Sequence, residues 1–230
     1  VYKRQNQTSI QPDYDWHVFA DATCAGLSVL LPVPLLDLAF ESMFRRRIPT
    51  TISRFRDVDV APSVRRRLGA SMRSLVSLEG CLGAGFAVIK YVLRRIWRKI
   101  IYIFAVKDAA TALTEYWHRA ALIDHMVRAG HLDRTADTGL AIRVSTEVLN
   151  EIDPSPLMGL ARQAVANVHH VFRLLLAARR LGATEVTRSL ADLLSSQSET
   201  AAESLRRTTS LYNRRYLQAV EAMAAGSGLL

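Results

Sequence analysis

Cysteine is nearly missing from this chain: Cys24 and Cys81 stand far apart, each among Ala, Gly and Leu. That argues against a disulfide framework or a paired-cysteine metal site. Both thiols are expected to serve as small buried hydrophobes in an unoxidised, intracellular setting. Strand signals are weak too, since no stretch sustains an alternation of period two between hairpin dipeptides. Catalytic signatures are missing: the chain has no Gly-x-Ser-x-Gly elbow, no His-Glu-x-x-His and no paired-carboxylate pattern.

Long uncharged apolar runs are also scarce. A membrane-spanning helix needs about twenty mostly apolar residues. The run Ala22 to Leu36 lies between Asp21 and Asp37 and contains Pro32 and Pro34, which makes it too short. The greasy region 80–107 is interrupted by Lys90, Arg94, Arg95, Arg98 and Lys99. Each such cation near the centre of a span costs about 2.5–3.5 kcal/mol. Neither segment is a simple span; a proline-broken hairpin dipping partway into a bilayer around Leu30 to Leu36 stays open as an alternative.

What the chain does have is apolar bulk and one-sided charge. Half of its 230 residues are hydrophobic, mean hydropathy is +0.09 and the formal net charge is +9. This length buries a proper core without disulfides or metals, and the hydrophobicity is too high for disorder. Residues 1–107 hold seventeen Lys/Arg against eight Asp/Glu, whereas 108–230 hold thirteen of each. The excess sits in Arg45, Arg46 and Arg47, in Arg54 and Arg56, in Arg65, Arg66 and Arg67 with Arg73, and between Lys90 and Lys99. A basic half of this kind points to an anionic surface, lipid or nucleic acid. The opening Val1-Tyr2-Lys3-Arg4-Gln5 resembles a translated transposon-adapter end and is set aside as a scar of DNA handling, with a disordered start to residue 15.

Helical signals are abundant. Residues 16–31 are apolar and end at Leu31-Pro32-Val33-Pro34, a sharp break. Leu35, Leu36, Ala39, Phe40, Met43 and Phe44 then recur at helical spacing and end in Arg45-Arg46-Arg47-Ile48-Pro49, cations favourable at a helix C-terminus. Pro62 is expected to open a helix carrying Arg65 to Ser77. One long helix or two kinked ones fill Gly80 to Ala129, with Gly130 as C-cap. A further helix runs from Thr135 or Asp137 to Ile152. Another is capped by Ser155 with Pro156 and reaches about Leu181, and a last one runs from Thr184 past Met223. The fold class is all-α: a multi-helix bundle with a basic, strongly apolar N-terminal half containing a Pro-broken helical hairpin. Three regions follow: 1–15, a basic apolar stretch 16–107, and a charge-neutral helical bundle 108–230.

On a helical projection of 90–104, Lys90, Arg94, Arg98, Arg95 and Lys99 share one arc. Val92, Leu93, Ile96, Trp97, Ile100, Ile103 and Phe104 fill the opposite one. This is the composition of a helix lying flat in a lipid interface, with Trp97, Ile100 and Phe104 as apolar anchors. The same pattern also suits a helix whose apolar face packs on the bundle.

Two other motifs are weak. Gly80 to Gly85, GCLGAG, lacks the Lys-Ser/Thr of a phosphate loop and the third glycine of a dinucleotide fingerprint. Glu115 and His118 form one Glu-x-x-His on a stripe with Asp108 and His125, where a di-iron bundle uses two such motifs plus two more glutamates. A hydrogen-bonded polar stripe is the simpler account, so no cofactor is expected. The expected function is a peripheral or partly inserted membrane-associated protein, a scaffold or accessory factor rather than a catalyst. It would bind an anionic membrane surface, on the cytoplasmic face, through Arg45 to Arg47, Arg65 to Arg67, Lys90, Arg94, Arg95, Arg98 and Lys99, and its neutral half would meet itself or a helical partner. The alternatives are nucleic-acid binding by the arginine clusters and a bundle enzyme with a metal at Glu115 and His118.

Overall fold

From residue 106 to 128 one helix carries buried apolar side chains on nearly every side: Ala109, Ala112, Leu113, Tyr116, Trp117, Leu122, Ile123 and Met126. A helix apolar all round has to be covered all round. In the computed structural model, which describes residues 16–30, 36–70, 98–168 and 198–227, it is, except along the exposed stripe of Asp108 and Glu115. This helix is α4 (Arg98–Arg128), and it touches α1 (Trp16–Leu27), α2 (Leu36–Phe55), α5 (Thr138–Glu151), α6 (Ser155–Ala166) and α7 (Ser198–Ser227). A 3-10 turn, Ser28–Leu30, follows α1, and the short α3 (Pro62–Ala70) packs on α2. Among the described residues the chain is a bundle of seven α-helices with no strand, the all-α architecture the sequence predicts. The step in charge between 107 and 108 falls inside α4, so the basic and the neutral halves share a helix.

Small residues bring α1 onto α4. Ala22 and Ala25 on α1 and Ala109 and Ala112 on α4 are fully buried. A Cβ added at Gly26 would lie 2.6 Å from the Leu113 Cα and 2.9 Å from its backbone nitrogen, so the two backbones touch. Beside that contact the Trp117 Nε1 donates to the Thr23 hydroxyl at 3.0 Å, and Thr23 donates in turn to the Phe19 carbonyl at 2.8 Å. With Val18, Phe19 and Leu27 also buried, the apolar stretch before the prolines is core, covered by α4 and α2. The break at Leu31-Pro32-Val33-Pro34 lies outside the described residues. Cys24 is buried, and burial, with Asp21 adding, pushes its thiol up to about 12; Cys81 lies outside the described residues.

The second helix differs from expectation. It does not stop at Arg45-Arg46-Arg47 but continues through Pro49 to Phe55. A proline inside a helix costs about 3 kcal/mol. Ile48 and Ile52, one turn apart and both fully buried, offset that by roughly 1.5–3 kcal/mol each. α2 then ends in a left-handed turn: Asp57 has φ 52°, and Val58 donates to the Ser53 carbonyl at 2.9 Å.

Other ends follow local chemistry. Pro62 opens α3 as predicted. Gly130, at φ 73°, closes α4 with His131 donating to the Met126 carbonyl at 3.0 Å. Asp137 caps α5 by accepting from the Leu140 backbone at 3.0 Å. At α6 the cap moves by one residue: Ser155 is already helical, and the Asp153 carboxylate takes its backbone N–H at 2.9 Å. The expected stretches 71–97 and 169–197 lie outside the described residues. Among those that are described, no helix is long and apolar enough to cross a membrane.

Two substitutions test these contacts by urea denaturation. Gly26→Ala drives a methyl into the α4 backbone and lowers stability by about 1–3 kcal/mol. Asp57→Gly relieves a side chain from the left-handed region, against the entropy of a more flexible unfolded chain, and raises it by up to about 1 kcal/mol.

Candidate functional site

Phe40, Met43, Arg47 and Arg54 are spaced along α2 by three, four and seven residues, which sets them on one face. Ile48 and Ile52 take the opposite face into the core. The outward face is therefore apolar and cationic together: Phe40 is 41 % exposed and Met43 44 %, with Arg46, Arg47 and Arg54 exposed along the same side. Phe40 stacks on Phe44 at 6.3 Å between ring centroids, and the Arg47 guanidinium stands 5.8 Å from the Phe44 centroid. α3 adds cations next door. A Cβ on its Gly69 would lie 3.5 Å from the Arg46 Cα, so α3 runs close against α2 at Arg46 and presents Arg66 and Arg67 to solvent.

The arginines divide into two sets. Arg56 is part-buried, and its Nε and Nη2 donate to the two oxygens of the buried Asp124 at 2.7 and 3.2 Å; Arg128 closes the same carboxylate from the next turn of α4. Arg47 lies 3.5 Å from Asp21, which also accepts a hydrogen bond from Thr51. Arg45 is half-buried and its charge acts on Tyr116. That phenol donates to the buried Glu41 carboxylate at 2.5 Å, and burial, then Glu41, raise its pKa far above the ordinary range. Arg119 beside it is brought down to about 10, chiefly by burial. By contrast Arg46, Arg54, Arg65, Arg66 and Arg67 form no ion pair among the described residues.

Of the residues singled out by sequence, Arg46, Arg47, Arg66 and Arg67 are thus exposed and Arg45 and Arg65 half-buried. Lys90, Arg94, Arg95 and Trp97 lie outside the described residues. Arg98, Lys99, Ile100 and Phe104 lie in the first turns of α4, with side chains outside the described set. Glu115 and His118 do not converge: Glu115 is exposed, whereas His118 is buried and its Nδ1 lies 2.9 Å from the Thr208 hydroxyl of α7. Among the described residues no group of three His, Cys, Asp or Glu side chains could hold a metal ion. The cleft among Leu68, Arg119, Leu122, Ile123 and Ser145 has no room for a water molecule.

No protein-family model, curated protein or solved structure matches the chain. Function therefore has to be read from the residues. Sequence reasoning missed Arg54 as a member of the α2 face that carries Phe40 and Met43, although the heptad spacing from Arg47 carries that signal. It had no means of pairing Arg56 with Asp124 or His118 with Thr208, which are 68 and 90 residues apart.

The division of the arginines has a direct test in urea denaturation. Arg56→Ala strips the buried Asp124 of two charge-assisted hydrogen bonds and costs about 1–3 kcal/mol. Arg46→Ala and Arg66→Ala change stability by less than about 0.5 kcal/mol.

Proposed function

We propose that the protein is a peripheral, membrane-associated scaffold or accessory factor that lays the outer face of α2 and α3 on an anionic lipid surface. The cytoplasmic leaflet, which carries anionic lipid, is the expected location. What supports this is the mixture on one face: Phe40 and Met43 exposed on the side of α2 that also carries Arg46 and Arg54, which form no ion pair among the described residues. Large apolar side chains held in water are unfavourable, and a lipid interface relieves that at the depth where guanidinium groups meet phosphates. Each basic residue near an anionic leaflet contributes about 1 kcal/mol. The cations from Lys90 to Lys99, by their sequence pattern, belong to the same proposal.

Co-sedimentation with phosphatidylcholine vesicles, with and without about 30 % phosphatidylserine, tests it. The protein pellets with the anionic vesicles alone. Replacing Arg46, Arg54 and Arg66 together by Ala weakens that binding by about a hundredfold, and Phe40→Ser with Met43→Ser weakens it without any change of charge. Preference for duplex or single-stranded DNA over vesicles, or no vesicle binding at low salt, would overturn the reading.

A further inference from the structure

Three histidines line the seam between α4 and α7. His118 Nδ1 lies 2.9 Å from Thr208 Oγ1, His125 Nε2 lies 2.6 Å from Asn213 Oδ1, and His131 Nδ1 lies 3.0 Å from Tyr212 Oη. His131 also stacks on Tyr216, with centroids 4.0 Å apart, and His125 meets Tyr212 edge-on. The described polar contacts between these two helices and the turn after α4 thus run through imidazoles.

Proton accounting at His118 shows what such a seam does. The Thr208 hydroxyl has one proton, and both of its contacts are hydrogen bonds only when that proton goes to the Ser204 carbonyl, 3.1 Å away, which can only accept. The hydroxyl therefore accepts from His118 Nδ1–H, which makes Nε2 the bare nitrogen. Nε2 is buried with no hydrogen-bond partner among the described residues, in a side chain that is 2 % exposed. A second proton would create a cation whose new N–H meets no acceptor.

We propose that this seam is an acid-sensitive latch centred on His118: its protonation, in a seam that His125 and His131 also line, releases α7 from the bundle while α1, α2 and α3 stay on α4. Burial holds all three imidazoles below the ordinary histidine range, His118 at about 4. For His125, burial leads and Arg128 adds, against the Asn213 bond and Asp124; for His131, burial leads and His125 adds. Each is depressed in the folded chain, so neutral imidazole is the folded form. The latch is whole above about pH 6.5 and is lost as pH falls towards about 4.

Few charged groups oppose this. Asp124 is already held by Arg56 and Arg128. On α4, Glu115 is exposed and Arg119 is a cation. The packed face of α5 brings Glu151, which pairs with Arg215 at 2.9 Å, and Asp137 acts on Tyr216. The one charged residue of α6 is Arg162, which is exposed. On α7 itself Glu203 is paired with Arg207, and Arg206 and Arg214 are exposed.

Amide hydrogen exchange of the whole chain between about pH 6.5 and 4.5, corrected for intrinsic rates, is the test. The opening constant of α7 rises by up to about tenfold per pH unit for each histidine, while protection in α1 to α3 holds. Absence of pH dependence in α7, or parallel loss in α1 to α3, would overturn the latch. His118→Asn keeps a donor towards Thr208 but cannot titrate, so the α7 slope falls; an unchanged slope removes His118 from the mechanism. Glu151→Gln neutralises the carboxylate paired with Arg215 and leaves the histidine slope intact; a slope abolished by it would assign the effect to that pair. Nitrogen NMR of the wild-type imidazoles provides an arm independent of any variant: His118 carries its neutral-form proton on Nδ1, and the opposite tautomer refutes the accounting.

Discussion

Between Gly26 and Leu113 no side chain separates α1 from α4, and the rest of the N-terminal half is placed by that contact. It brings Thr23 within reach of the Trp117 indole and carries Asp21 to where Thr51 and Arg47 of α2 can meet it. α2 is then held on both sides, by Asp21 from α1 and by the Glu41–Tyr116 bond to α4. Its rotation about its own axis is thereby set, and with it the choice of which residues face outward. A larger residue at 26 would lift α1 away and forfeit dispersion contacts along the whole crossing.

Among the described residues three buried acidic groups organise the polar interior: Asp21, Glu41 and Asp124. A buried carboxylate is costly unless its oxygens are satisfied. Here each receives donors from another helix or turn, Thr51 for Asp21, Tyr116 for Glu41 and Arg56 for Asp124. Such bonds add little net energy over a well-packed apolar core, but they have one satisfied geometry. The alanine-rich surfaces around them would otherwise permit small slides of one helix on another.

Features decided within a few residues were legible in the sequence. Gly130 and Asp137 act at helix ends by local backbone chemistry, and Pro62 opens α3 because its missing N–H is not needed there. Pro49 was misread because the same local rule is outweighed by Ile48 and Ile52, whose burial depends on helices far away in sequence. The periodicity of Phe40, Met43 and Phe44 revealed a stripe, but periodicity cannot say which stripe is covered; Ile48 and Ile52 won the core side. The pairing of arginines with carboxylates was illegible for a related reason. Arg54 and Arg56 are alike in the chain, and only the fold carries Asp124 to one of them.

That difference between Arg56 and its neighbours separates two regimes of ionic strength. The Arg56–Asp124 pair, with the carboxylate 6 % and the arginine 24 % exposed, is partly buried and therefore screened much less. Arg46, Arg54, Arg66 and Arg67 stand in solvent, where the field of a charge fades over about 8–10 Å in physiological salt. Added salt therefore weakens the outer field of α2 and α3 more than the clamp beneath it. The same residue type answers to the solution on one side of the helix and to the core on the other.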